Sequence, residues 1–422
     1  MKPNKLIIVA ILAISSILGM QAQNTTSPYS KFGYGILSDN ATSAQRSMGG
    51  VGYAMNSGRQ INVMNPASYA AIDSLTFLFD MGLDLSMSWA SENSTDGQKA
   101  SGKNFGGGLD YITLQFPVTK YIGVSLGLLP YSSVGYSFGS EISNGSNARQ
   151  GSGGINQIYA GVGTNPFKNA YVGINLSYLW GTIINDAYAY TDAGSESLFE
   201  RVLQVRDFKA QIGIQYAIDI TRNDRLTLGA VYSPKQSLKG KTWGAYYDVS
   251  SDAQADTVGY SSTKDLYSLP ETWGGGISYQ HKGFMAEVDF TYQPWEKAKS
   301  APILNDEGET VFDKTQYDNR WKVAVGLQYM PKERGSYAQR ISYRLGAFYN
   351  NDYVKVAGNS IRDYGVTMGF GLPVPKSKTM VNLGFEYHHR QATPNSLITE
   401  DYFNITLGVN FNEMWFWKNK IR

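Results

Sequence analysis

Phe403-Asn-Ile-Thr-Leu-Gly-Val-Asn-Phe411 decides the fold. In an extended chain Phe403, Ile405, Leu407, Val409 and Phe411 fall on one face, and Asn404, Thr406, Gly408 and Asn410 on the other. That is the pattern of a wall with lipid on one side and a polar lumen on the other. The rhythm runs back to Ser74. Glu287, Asp289 and Thr291 alternate with Val288, Phe290 and Tyr292; Gly173, Asn175 and Ser177 alternate with Val172, Ile174, Leu176, Tyr178 and Trp180. Lys322 and Gln328 oppose Trp321, Val323, Val325, Leu327 and Tyr329. A charge facing lipid at midplane costs about 2–4 kcal/mol, so these patterns fix the register. The inward faces read as polar but not strongly charged, and their many glycines as space in the lumen. The expectation is an all-β fold, a transmembrane antiparallel β-barrel of about 14 strands. Long polar connections are read at 90–104, 139–153, 185–201, 236–267, 296–319, 351–360 and 390–401, with short ones between them. Long loops belong outside and short turns on the periplasmic side, which places both termini in the periplasm.

Residues 1–23 read as a signal peptide: Lys2 and Lys5, an apolar run from Leu6 to about Leu18, then small and polar residues near Ala22. Without Lys2 and Lys5 the 37 basic residues become 35, equal to the 35 acidic ones. A neutral chain has no net field for nucleic acid, so no nucleic-acid partner is expected. The absence of cysteine removes disulfides, thiolate metal sites and cysteine nucleophiles.

Residues 24–73 differ from the wall. They carry Gly33, Gly35, Gly49, Gly50, Gly52 and Gly58, then Asn65-Pro66-Ala67-Ser68, without sustained alternation. Their apolar Met48, Val51, Ile61, Val63 and Met64 call for cover, and the barrel's own lumen tolerates irregular backbone. An N-terminal hatch or plug is therefore expected there, with the barrel over 74–412. In the third strand Pro130 interrupts what should be continuous wall; it has no N–H for the ladder. Position alone leaves open whether it breaks the wall or ends the membrane portion.

Catalysis finds no support. Gly135-Tyr-Ser-Phe-Gly139 matches a serine-hydrolase elbow, but no helical periodicity follows it. His388 and His389 point to opposite faces of a strand and cannot share a metal. No enzyme activity, metal or cofactor is expected.

Ser47-Met-Gly-Gly-Val-Gly52 with Asn65-Pro66-Ala67 resembles the hatch of the outer-membrane long-chain fatty-acid transporter family (FadL). Leu126-Gly-Leu-Leu-Pro130-Tyr-Ser is similar to that family's kinked third strand. Leu269-Pro-Glu-Thr-Trp273, Phe290-Thr-Tyr-Gln-Pro-Trp295 and Tyr317-Asp-Asn-Arg-Trp321 resemble its later strands, in the same order. The resemblance implies passive, lateral diffusion of long-chain fatty acids or other hydrophobic small molecules through an opening at Gly127 and Pro130. It also implies a hatch shaped by Gly49, Gly50, Gly52, Asn65, Pro66 and Ala67. Residues 413–422, with Trp415, Phe416 and Trp417, form an aromatic and basic tail, either interfacial anchors or a docking segment.

The partners expected are a hydrophobic small-molecule ligand and outer-membrane lipid. The rival reading is a non-conducting barrel, a scaffold or subunit of an outer-membrane secretion or assembly complex with a periplasmic or outer-membrane protein partner. A transporter needs a pocket and an open third-strand wall, whereas a scaffold can keep both sealed.

Overall fold

The structure is a computed structural model. It describes all residues except 1–26, 94–98, 143, 193–194, 251–255, 266, 300–302, 305–309, 313–314 and 415–422. The signal peptide and most of the C-terminal tail lie outside the described residues. Fourteen antiparallel strands close into one barrel. The first are β1 (Thr76–Asn93), β2 (Lys99–Pro117), β3 (Ile122–Ile142), β4 (Gly145–Phe167) and β5 (Ala170–Thr191). Then come β6 (Ser195–Asp219), β7 (Asp224–Ser233), β8 (Thr272–His281), β9 (Phe284–Gln293) and β10 (Arg320–Tyr329). The last are β11 (Ser342–Val356), β12 (Asn359–Pro373), β13 (Met380–Thr393) and β14 (Ile398–Met414). Closure comes from β1 pairing with β14, from Thr76–Met414 to Glu92–Ile398.

The alternation works as the sequence implies. Glu287 and Asp289 are buried inward while Val288 and Phe290 are exposed outward; Thr406 and Asn410 face in, Leu407 and Phe411 out. His388 is inside and buried, His389 is bonded to Asp401. The long connections differ. Much of what reads as loop is strand: β4 has 23 residues and β6 has 25. The 236–267 connection contains a hairpin, Gly240–Ser250 with Asp256–Lys264, whose first arm pairs with β6. About ten residues suffice to cross the membrane, so these strands project beyond it as a sheet. Polar, tyrosine-rich sequence in a two-sided, solvent-facing sheet lacks the apolar stripe by which strands are recognised.

Residues 27–73 run through the lumen. Ser27 donates its backbone N–H to Gly135 of β3 and its hydroxyl to Glu400 of β14 (2.7 and 2.9 Å), both near the long-loop end. The described chain thus enters the lumen at the long-loop end and leaves into β1 at the short-turn end. Two expectations are corrected here. The glycines facing residues 27–73 do not leave space, because that segment lies against them: a Cβ at Gly173 would collide with Pro66, at Gly229 with Tyr53, at Gly346 with Met48 and Gly49, and at Gly408 with Ser43. The inner face is also strongly charged. Asp80, Asp84, Arg320, Lys322, Arg344, Asp363, Glu386 and Arg390 all point inward, and most have ionic or hydrogen-bond partners there.

Candidate functional site: the lumen and its side gap

At the short-turn end the N-terminal segment is tied by its own chemistry. Asn65 caps the 3-10 turn Pro66–Ala71, accepting from the Ala67 N–H at 3.1 Å and donating to the Tyr53 carbonyl at 2.7 Å. Proline at the first turn position needs no N–H partner, which explains the Asn-Pro-Ala order. Ile61, Val63 and Tyr69 pack with Leu78, Tyr111, Leu129 and Tyr159 of the wall. Gly49 and Gly50 have φ of 72° and 80°, a backbone that favours glycine. The N–H of Gly49 bonds Thr367 at 2.8 Å. Gly52 and Tyr53 both donate to Asp289, at 2.7 and 2.9 Å, and Ala54 donates to Glu287 at 2.9 Å.

The long-loop end is filled by aromatic rings. Trp295 is fully buried, 4.4 Å from Tyr353 and 5.6 Å from both Tyr34 and Tyr317. Tyr267 meets Tyr34 edge-on at 5.7 Å. The Tyr34 hydroxyl donates to the Ser268 carbonyl at 3.2 Å, and the Tyr34 backbone N–H donates to the Tyr353 hydroxyl at 2.9 Å.

Between these two ends lies a cavity of about 290 Å³. Its lining is ionic. Asp39 bonds Arg320 at 3.2 Å and Lys322, which in turn sits over the Phe348 ring. Burial opposes ionisation of Asp39, but Lys322 and Arg320 outweigh it and hold the carboxyl well below the usual range. Asp363 bonds His388 at 2.7 Å and Arg390 at 2.8 Å, and His388 stacks on Tyr402 at 4.4 Å. Arg46 bonds Asp110 at 3.0 Å, with Asp84 at 3.7 Å and Glu386 also in the lining. Among the described residues no cluster suited to a metal ion occurs.

The wall beside this cavity has a gap. β2 and β3 pair from Pro117–Gly123 only as far as Ile112–Leu128. Beyond that point β2 continues bonded to β1 up to Asn93–Lys99, and β3 continues bonded to β4 up to Ile142–Gly145. On the edge of β3 that faces β2, Ile36 and Leu37 pair with Ser133 and Ser132, and the Ser38 N–H bonds Tyr131. Both strands carry a bulge at this level. Asp110 is the extra residue between Leu109 and Tyr111, and Tyr131 the extra one between Pro130 and Ser132.

Of the residues singled out from sequence, Gly49, Gly50 and Pro130 line the cavity. Gly52, Asn65, Pro66 and Ala67 lie in the packed segment, and Gly127 lies in the paired part of the wall opposite Thr113. Pro130 pairs with Asn156 of β4 directly before the bulge at which the register shifts; the gap lies on the other side of β3, towards β2. Sequence reading missed Arg46, Asp84, Asp110, Glu386 and the Asp363–His388–Arg390 group. The inward parity of Asp84, Asp110, Glu386 and His388 was a usable signal, whereas the bulge that brings Tyr111 inward beside Asp110 was not.

Comparison with solved structures places the fold. The Pseudomonas putida toluene transporter TodX aligns with a TM-score of 0.64 at 14% identity, over 90% of this chain and 100% of that one. A Pseudomonas aeruginosa FadL homologue gives 0.62 at 12%, over 89% and 99%. The CymD monoaromatic hydrocarbon channel gives 0.59 at 13%, over 90% and 99%. These likenesses establish a FadL-like outer-membrane barrel fold and stop there. No curated protein matches. The model of one protein family, BamG, matches residues 4–422.

Proposed function

The chain belongs to the BamG family, and we propose that it is a structural barrel serving as a subunit of an outer-membrane assembly or secretion complex. The observation that supports this reading is the packing towards both ends of the lumen, where residues 27–73 sit on wall glycines and an aromatic group gathers around Trp295. In this reading residues 27–73 are a permanent plug. An apolar solute in the cavity would lie against the charged side chains of Asp39, Arg320, Asp363 and Arg390, which its surface cannot hydrogen-bond. The extension of β4, β5 and β6 with the 240–264 hairpin adds nothing to a pore but offers contact area to a protein partner.

The test is purification from native outer membranes in mild detergent, with reconstitution of the isolated barrel in planar bilayers. Stoichiometric protein partners on a native gel and an absence of conductance are expected. A solitary barrel, together with protein-dependent uptake of a hydrophobic compound in a deletion and complementation pair, would overturn the proposal.

The gap between β2 and β3 favours a second reading, passive lateral transfer of a fatty acid or other hydrophobic molecule between the lumen and bilayer lipid. Uptake of labelled long-chain fatty acid that depends on the protein and drops in Pro130→Ala would support it. Uptake independent of the protein would remove it.

A further inference from the structure

The cavity behind the β2–β3 gap does not balance its charges. Asp84, Asp110 and Glu386 share one guanidinium, Arg46, on this side of the lumen. The neighbouring His388 is already committed to Asp363 at 2.7 Å and stands 3.8 Å from Glu386. The side chain of Asp110 is 7% exposed, and its Oδ2 has no hydrogen-bond partner; Oδ1 of Asp84 accepts no hydrogen bond either, with the Arg46 guanidinium beside it at 3.7 Å. A carboxylate oxygen buried in this way is an acceptor awaiting a donor. Alternation from the outward Phe105 and Leu109 puts Asp110 inward, and the bulge lets the next residue, Tyr111, face inward beside it.

The outer side of the same gap is apolar. Phe105 and Leu109 of β2, and Leu126 and Leu128 of β3, are exposed on the barrel's outward face. A molecule reaching the three carboxylates from this side comes from the bilayer and leaves an apolar part there.

We propose that the side cavity holds the primary-ammonium headgroup of a membrane amphiphile, with Asp84, Asp110 and Glu386 as acceptors and the tail emerging between β2 and β3. An ammonium carries three donors and one positive charge, which answers both the open acceptors and the charge imbalance. A fatty-acid carboxylate would be repelled at this end of the cavity. A quaternary ammonium brings the charge but no N–H donor. The proposal rests on the gap and its carboxylates and stands apart from the scaffold reading, since a lipid can reside in a barrel that conducts nothing.

The test uses the full-length mature protein in nanodiscs made from equal parts phosphatidylethanolamine, phosphatidylglycerol and phosphatidylcholine, with retained lipid counted by native mass spectrometry. Wild type is expected to retain phosphatidylethanolamine over the other two by about tenfold, the ratio that one charge-assisted contact group supplies. Asp84→Asn with Asp110→Asn is expected to bring the ratio to that of the bulk lipid, while Glu141→Gln, an exposed acid on β3, leaves it unchanged. Heat-modifiable gel migration checks that each variant is folded, and Asp110→Asn alone replaces the pair if the double variant is not. An unselective wild type, or selectivity that survives loss of Asp110, would overturn the proposal. Equal displacement by tail-free glycerophosphoethanolamine would overturn the membrane source of the occupant.

Discussion

One carboxylate oxygen of Asp289, on β9, accepts the backbone N–H groups of both Gly52 and Tyr53. A wall strand thus anchors the N-terminal segment through its main chain, at a point where that segment has no secondary structure of its own to satisfy the N–H groups. Asp289→Ala leaves two buried donors without an acceptor, each costing about 1–3 kcal/mol. The variant is expected to keep the barrel but to free residues 27–73. Limited proteolysis in detergent should cut that region faster than in wild type, and an unchanged digestion pattern would refute the anchoring role.

The glycines facing the segment make a second prediction with its own control. A methyl group at Gly346 meets the backbone of Met48 and Gly49, whereas at Gly102 it meets nothing within 4 Å. Gly346→Ala should lower the unfolding temperature or raise protease access to the segment, and Gly102→Ala should do neither. Overpacking of this kind costs about 1–3 kcal/mol.

Trp295 holds the outer end closed. Replacing a fully buried Trp by Ala costs about 3–5 kcal/mol, and here it also removes the ring between Tyr34, Tyr317 and Tyr353. Trp295→Ala is expected to destabilise the contact with the N-terminal segment and to produce ion conductance in planar bilayers only when combined with Gly346→Ala. Conductance of wild type at the same level would contradict a lumen filled at both ends.

Acid should loosen the segment through Asp39. Burial works against its charge, but Lys322 and Arg320 depress its pKa below the usual range. A depressed folded-state pKa contributes stability above the unfolded value, about 3.9, and this is lost as pH falls through the folded value. Asp39→Asn should therefore be less stable than wild type at neutral pH, with the difference shrinking below about pH 4. A difference that stays constant on acidification would rule out the ionic contribution.

The division between what was legible and what was not follows from the range of each signal. Residues such as Phe403 to Phe411 and Glu287 to Tyr292 declare their faces locally, because neighbours along a strand point opposite ways whatever the partner strand does. The barrel, its closure by an even number of strands and the distinct character of residues 24–73 follow from that. Gly173 and Gly346 could be placed on the inner face in the same way, but not their use. Whether an inward glycine leaves a void or receives Pro66 or Gly49 depends on a segment more than 100 positions away in the chain.

The sequence by itself therefore determined an antiparallel wall, its lipid-facing and lumen-facing residues, and an N-terminal segment that needed cover. Only the tertiary structure decided which wall glycines this segment lies against, that Trp295 gathers tyrosines from three separated regions, and that β2 and β3 part above Ile112 and Leu128. It also decided that Tyr111 faces inward beside Asp110, since a bulge exists only relative to the strand opposite it. Alternation is written in adjacent residues, whereas packing and register are properties of pairs that the chain brings together only on folding.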